Sequence, residues 1–591
     1  MTGVIRRLAA DRGRLFVVVA MIGAALVYAP TLGRGLVNLD DHWLVRDNWV
    51  VRDASLHSLR TIFLDLDLAH RFTLAPEYLP VRDVSVMLDF AIWGDSFGGH
   101  HLTSLVLYVA AIPLWFAVLV GFGIERRLAG LAMLVWALHP THAESVAWLS
   151  ERKGVLGMLF VGACGLGYVR FRAGRPPRWL VLAVACAVCA VWSKALAAFA
   201  LAGLAGLELA LPALRVSWRR SLVGLGAIAI VGGLAFVPVM MLASSSSVVG
   251  TQMQAPAGRI PMALGTTGLY VELATAARAN AVAYPISTAG PSAFEIGLGA
   301  LTLAVIVVAL AWRRSPVELR AGAAIWLISW LPISHLLLPL QMVFVADRYL
   351  LFPTLGFALA VAFGITRIAN ARLRTILATA VVLALTVRAV DAQQTWRDSE
   401  TLWQRAVASD PADGEAWSMY AQAVVEGGDD TRAEAIVTTG LAHTDSPRLR
   451  YRQALLVLGR GDRVEAVALM RTAALAGEPR AMGSLALLLL EDGKLADAQA
   501  WAERAVAIAP SYVNGQRALG KVALAANDPA RALTAFTVAY ELEPHNAANR
   551  YNLALALVAL HRPAEARAQL EACLADPAFA ARARVLLDSL R

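Results

Sequence analysis

The chain has 591 residues, of which 58% are hydrophobic and only 16% charged, with a positive mean hydropathy. That balance excludes an ordinary soluble enzyme and fits a chain that crosses a membrane many times. The net charge of +9 does not mark a nucleic-acid binder, because the arginines sit at the ends of apolar runs, where they orient membrane spans, rather than in one patch. Four cysteines are too few for a disulfide framework. Cys164, Cys186 and Cys189 lie in apolar runs and Cys573 in a helical repeat, so they read as small core residues ahead of redox or zinc ligands.

A spanning helix needs about 20 apolar residues, fewer where the bilayer thins. Runs near 15–32, 100–122, 127–138, 154–171, 179–193, 195–211, 221–242, 293–311, 321–338, 349–366 and 374–390 predict eleven crossings. The first has no Ala-x-Ala-like cleavage site and reads as an uncleaved anchor. Arg6, Arg7, Arg12 and Arg14 precede it. Arg126 and Arg127, then Arg170 to Arg178, Arg215 to Arg220, Arg313 to Arg320 and Arg367 to Arg374 follow on alternate loops. The positive-inside rule makes that face cytoplasmic, with the N-terminus inside and the C-terminus outside.

The other loops carry different chemistry. Asp40-Asp41 follows the first span and would lie at the outer water–lipid boundary. A carboxylate pair there is costly unless it pairs, caps a helix or does chemistry; the plain alternative is one acid capping the next helix and the other solvated. The loop 33–99 also holds Tyr78-Leu79-Pro80-Val81-Arg82-Asp83. The next outer loop runs from His139-Pro140-Thr141-His142-Ala143-Glu144 to Glu151-Arg152-Lys153. Leu128 to Leu138 would cover only about 16 Å as a helix, and 179–211 is too long for one crossing, so it turns at Ser193-Lys194. Polar backbone at that depth must line water or be buried in protein. A polar outer cavity is therefore expected near Asp40, Asp41, Arg82, His139, Glu151, Arg152, Lys153, Lys194 and Arg348. Arg259 to Tyr284 is amphipathic and is expected along the outer interface. Asp347-Arg348 reads equally as a plain ion pair. His139, His142 and Glu144 lack His-Glu-x-x-His spacing, and Pro140 breaks the helix that would align them, so positioning is favoured over zinc.

From about 393 the chain becomes rich in alanine and charge and repeats every 34 residues. Pro510 and Pro544 show this period, as do Ala498, Ala532 and Ala566, and Leu485, Leu519 and Leu553. Leu519-Gly520, Ala532, Phe536, Ala539 and Pro544 fit a tetratricopeptide repeat. Five units are expected, stacked as a solenoid with a concave groove. The fold class is thus all-α: a polytopic helical domain over 1–392, then a repeat solenoid over 393–591.

The ordered set of motifs resembles a known family. Besides those above it includes His101-Leu102-Thr103, Leu331-Pro332-Ile333-Ser334, Ala346-Asp347-Arg348-Tyr349 and Trp396-Arg397-Asp398-Ser399-Glu400-Thr401. Together they look like bacterial relatives of the transmembrane and tetratricopeptide-repeat-containing O-mannosyltransferases, of the GT-C class of polyprenol-dependent glycosyltransferases. Two positions depart from that pattern: Gly154 stands where the family has Asp, and Ala195 where it has Pro. The resemblance implies a multi-pass bacterial cytoplasmic-membrane enzyme with its repeats outside. A mannose-like sugar would pass from a polyprenyl phosphate to a hydroxyl of an extracytoplasmic protein, with inversion. Asp40 or Asp41 would be the base, Asp41 favoured, and Arg82, Arg152, Lys153, Lys194 and Arg348 would meet the lipid phosphate. His139 and Glu151 join them as substrate-positioning candidates. No cofactor is required, though a divalent cation at the acidic pair stays open. The alternatives are a non-catalytic membrane-anchored repeat scaffold for envelope assembly, and transfer to a non-protein glycan.

Overall fold

The computed structural model describes residues 11–67, 71, 74–211, 217–245, 256–282, 284, 290–337 and 345–590. Arg6, Arg7, Arg215 and part of the serine run near 245 lie outside these. The described residues form helices joined by turns and loops, with no strand among them. The chain divides into two compact units, residues up to 66 with 74–405, and 67–73 with 406–591.

In the first unit, the described parts of the apolar runs read from the sequence are largely helical. Among the described residues, six helices are long and apolar enough to cross a membrane: those that begin at Arg12, Phe97, Leu149, Trp218, Ala293 and Ala371. Arg178–Val191, Ala197–Ala210 and Pro353–Thr366 are apolar but shorter. Arg126–Ala137 is the short one: it has 12 residues, and Leu128 through Ala137 are all buried, so it packs inside the bundle with other helices around it. Its approach to Arg12–Tyr28 is backbone to backbone: a Cβ on Gly130 would lie 2.3 Å from Gly13 O. Val317–Trp330 meets Pro353–Thr366 the same way, a Cβ on Gly356 lying 2.4 Å from Gly322 O. Small residues at such crossings let helices pack where solvent does not drive them together. The outer faces are apolar and exposed, with Ile230 and Leu234, Leu301 and Val305, and Leu383 and Val387 on three of the long helices.

The loop 33–99 is folded. Trp49–Arg52, Leu56–Leu64 and Pro80–Trp93 enclose Val45, Val50, Ile62, Leu74 and Val86. Pro80 starts its helix at the first turn, where no N–H is needed. Pro256–Ala274 packs antiparallel on Ala293–Ala311. Gly268 stands against Glu295 O and Gly299 against Leu264 O, and Leu269, Tyr270 and Leu273 are buried.

The second unit is a run of helix pairs: Gly414–Glu426 with Asp430–His443, Pro447–Gly459 with Arg463–Leu475, Pro479–Glu491 with Leu495–Ile508, Val513–Ala525 with Pro529–Leu542, and Ala547–Ala559 with Pro563–Cys573. A last helix, Pro577–Ser589, covers the end. Ala498, Ala532 and Ala566 are fully buried, because the second helix of each pair presses on the first there. Asp462, Asp528 and Asp429 each accept a backbone N–H at a helix start. Gly520 faces Phe536, and a Cβ at Gly520 would lie 2.3 Å from that ring. Gly520→Ala should therefore cost about 1–3 kcal/mol. Hydrogen exchange should quicken across Val513–Ala525 and Pro529–Leu542 and stay unchanged in Phe97–Gly121.

Candidate functional site

Asp41 is 1% exposed, and a carboxylate so placed must find donors. Val37 N–H donates to its Oδ2 at 3.2 Å, while Ser150 N–H (2.9 Å) and Ser150 hydroxyl (2.5 Å) donate to its Oδ1. Asp41 therefore ties the loop after Arg12–Tyr28 to the turn before Arg152–Arg172. Burial, helped by the neighbouring Asp40 charge and opposed by these donors, lifts its pKa to about 6. Asp40 is only half-buried and takes one long hydrogen bond, from Trp43 Nε1 at 3.4 Å. Burial raises its pKa, against the Lys153 and Arg348 charges. Both Asp41 oxygens are thus spoken for, while Asp40 keeps a free edge.

Two strings of ion pairs adjoin Asp40. In one, Glu77 Oε2 bridges Arg82 Nη1 (3.0 Å) and Lys153 Nζ (2.9 Å). Burial opposes ionisation of Glu77, but Lys153 and Arg82 hold it at about 2. In the other, Lys194 pairs with Glu151, whose second oxygen lies 3.9 Å from Arg348 Nε, and Arg348 pairs with Glu144. Arg348 also sits over the Trp148 and Tyr349 rings, 5.7 and 5.2 Å from their centroids. Asp347 does not pair with Arg348. It accepts from Tyr284 hydroxyl and Asn280 amide, both at 2.6 Å, and burial plus the Glu144 charge raise it to about 8.

Three expected phosphate or substrate groups are already consumed. The Arg82 guanidinium meets Asp83 (2.8 Å), Glu77 and Leu74 O (2.6 Å). Arg152 is 1% exposed and held by Asp89 (2.5 Å), Ser104 Oγ (3.0 Å) and His100 O (2.6 Å). His139 Nε2–H donates to Ala274 O at 2.7 Å, while Nδ1 meets Thr141 Oγ1 at 2.8 Å; burial keeps the ring neutral with a pKa of about 4. These three order the scaffold. The polar groups expected around a cavity thus form a packed ion-pair cluster among the described residues, with a partly exposed edge of Asp40, Glu77, Lys153, Arg348 and Tyr349. Glu77, Asp89 and Ser150 escaped the sequence reading. Each is an ordinary polar residue until folding sets it opposite a distant partner: Asp89 meets Arg152, 63 residues on, Glu77 meets Lys153, 76 on, and Ser150 meets Asp41, 109 back.

The chain after the last apolar helix buttresses the acidic turn. Arg34 donates to Gln393 O at 2.7 Å, Ser399 hydroxyl accepts from Asn38 N–H at 2.9 Å, and Trp403 Nε1 donates to Asn38 Oδ1 at 2.5 Å. Trp396 stacks on Trp148 with centroids 5.1 Å apart. Gly154 leaves a small slot: a Cβ there would lie 3.0 Å from Glu151 Oε1 and 3.3 Å from Lys194 Nζ. A second buried polar cluster lies at the far end of Arg152–Arg172, where Glu208 accepts from Tyr168 hydroxyl (2.7 Å), Ser221 hydroxyl (3.2 Å) and Arg172. Among the described residues no group of three or more His, Cys, Asp or Glu side chains is placed to hold a metal ion. With Asp41 committed to Ser150 and Val37, the acidic pair does not fit a bridging cation.

The tetratricopeptide repeat family matches residues 523–587, and a second description of the same repeat matches 385–442 and 451–513. The C-terminal region therefore carries tetratricopeptide repeats, as the 34-residue period requires. No curated protein matches the chain. Similar solved structures include YrrB, a repeat protein with an unusual peptide-binding site, at 18% identity over 31% of this chain and 97% of that one, with a TM-score of 0.24. PilF of Pseudomonas aeruginosa is similar at 18% identity over 30% and 82%, with a TM-score of 0.27. PilW, a type IV pilus biogenesis factor, is similar at 19% over 37% and 100%, with a TM-score of 0.27. At these TM-scores the likeness carries no argument about shape or role.

Two outcomes follow from the ion pairs. Lys194→Ala strands a buried Glu151 and should lower stability by about 3–5 kcal/mol, whereas Lys194→Met with Glu151→Met should recover most of it; thermal unfolding in detergent reads both. Asp41 gives the second. The folded chain keeps a proton there that the unfolded chain loses between 3.8 and about 6, so stability falls as pH rises across that window. In Asp41→Asn that slope should vanish, and the thermal midpoint should be lower throughout, because the amide sets a donor against Ser150 or Val37.

Proposed function

We propose that the chain is a polytopic membrane glycosyltransferase of the GT-C kind, which moves a sugar from a polyprenyl phosphate to a hydroxyl of a protein. The observation that carries this reading is the half-exposed Asp40, set beside Lys153 and Arg348 close enough for both to act on its charge. A base next to two cations is what displacement of a sugar from a lipid phosphate needs. The acceptor oxygen forms a bond to the anomeric carbon from the face opposite the phosphate, and the anomeric carbon–oxygen bond to phosphate breaks. The electron pair leaves with the polyprenyl phosphate, and the acceptor proton goes to Asp40. The configuration inverts. Arg348 and Lys153 compensate the phosphate charge, Arg348 suited by its planar fork, while Glu144, Glu151 and Glu77 fix their positions. Asp41 and Lys194 act as positioning residues.

The arginine-rich loops support a cytoplasmic face at the Arg126 and Arg172 end, which puts the Asp40 end and the repeats outside. Repeats of this type stack into a concave surface that suits peptide binding, and tethering an acceptor there would raise its local concentration. One observation favours a second reading, a non-catalytic anchored scaffold: Arg82, Arg152, Lys194 and Arg348 each already have an acidic partner. Sugar transfer from polyprenyl-phosphate mannose to a peptide separates the two. Asp40→Asn should abolish transfer while leaving the thermal midpoint unchanged, and wild-type transfer should rise with pH through the Asp40 pKa, since the base works ionised. Undiminished transfer by Asp40→Asn would remove that residue from the mechanism.

A further inference from the structure

At the arginine-rich end of the first unit, Arg12–Tyr28, Arg126–Ala137, Pro353–Thr366 and Ala371–Gln394 enclose an open groove of about 240 Å³. Its lining is graded. Arg127, Arg374 and Thr375 stand at the first turns of their helices; Leu131, Ala378 and Val382 line it one and two turns deeper. At 1.5 Å per residue that grading runs over roughly 12 Å. No carboxylate pairs with Arg127 or Arg374 among the described residues, although Arg126 beside them is paired with Asp11. Arg374 spends one nitrogen on Ile368 O at 3.1 Å and keeps the rest of its fork.

We propose that this groove holds one anionic glycerophospholipid of the inner leaflet, its phosphate between Arg127 and Arg374 and one acyl chain along Leu131, Ala378 and Val382. Charge complementarity and the polar-to-apolar grading select that occupant: cations at the helix ends meet the headgroup depth, and basic pockets between spanning helices on the cytoplasmic side take acidic headgroups. Guanidinium forks hold phosphate oxygens in pairs. The lipid would join the first apolar helix to the last, which brings the repeats. The inference rests on the membrane and sidedness part of the proposed function, not on sugar transfer.

The test uses the full chain in phosphatidylcholine nanodiscs doped with phosphatidylglycerol, with retained lipid counted by native mass spectrometry. One phosphatidylglycerol should be kept in preference to phosphatidylcholine. Arg127→Gln with Arg374→Gln should lose that preference by roughly fivefold per arginine. Arg372→Gln, exposed and outside the groove, should keep it, and Ala378→Phe should lose it by filling the groove with both arginines intact. An unchanged preference in the double variant, an equal loss in Arg372→Gln, or displacement of phosphatidylglycerol by equimolar polyprenyl phosphate would each overturn the proposal. Release of the chain from membranes by alkaline wash without detergent would instead overturn the membrane reading itself.

Discussion

A buried carboxylate that cannot stay unpaired sets the architecture of the polar end. Asp41 is held by Ser150 and Val37, and those bonds fix a turn of the first loop against a turn more than 100 residues later in the chain. Asp40, the next residue, takes only the long bond from Trp43 and feels the charges of Lys153 and Arg348. The two acids are adjacent in sequence but differently held: one is locked by three donors, the other by one. A similar division recurs nearby, where Arg152 is fully buried and held by Asp89 and His100 while its neighbour Lys153 pairs with Glu77 at the partly exposed edge.

Burying this many charges has a cost that mutual pairing offsets only in part. The cluster is therefore a poor source of stability, and its members are better understood as holding one another in register. Packing supplies the stability instead. Glycine contacts such as Gly13 with Gly130 and Gly322 with Gly356 bring helix backbones together, and Leu128 to Ala137 fill the centre of the bundle.

How much of this was legible before folding depends on the range of the signal. Apolar runs and the 34-residue period are local, repetitive patterns, so the helices and the repeat pairs stand where the sequence put them. The burial of Leu128 to Ala137 carries no such local mark, because an apolar stretch buried in protein reads like one facing lipid. Nor does the pairing of Glu272 with Arg278 at a helix end. In the site, charged residues were found but their partners were not. Arg82 and Arg152 looked free because Glu77 and Asp89 carry no sequence mark that points at them. Asp41 outranked Asp40 for the same reason, since only the fold reveals Ser150.

Gly154 bears on how Lys194 and Glu151 close on each other. A Cβ there would lie 3.0 Å from Glu151 Oε1 and 3.3 Å from Lys194 Nζ, so the missing side chain leaves room for the contact between them. Any larger residue would have to push the two apart, and an acid would compete with Glu151 for the single ammonium.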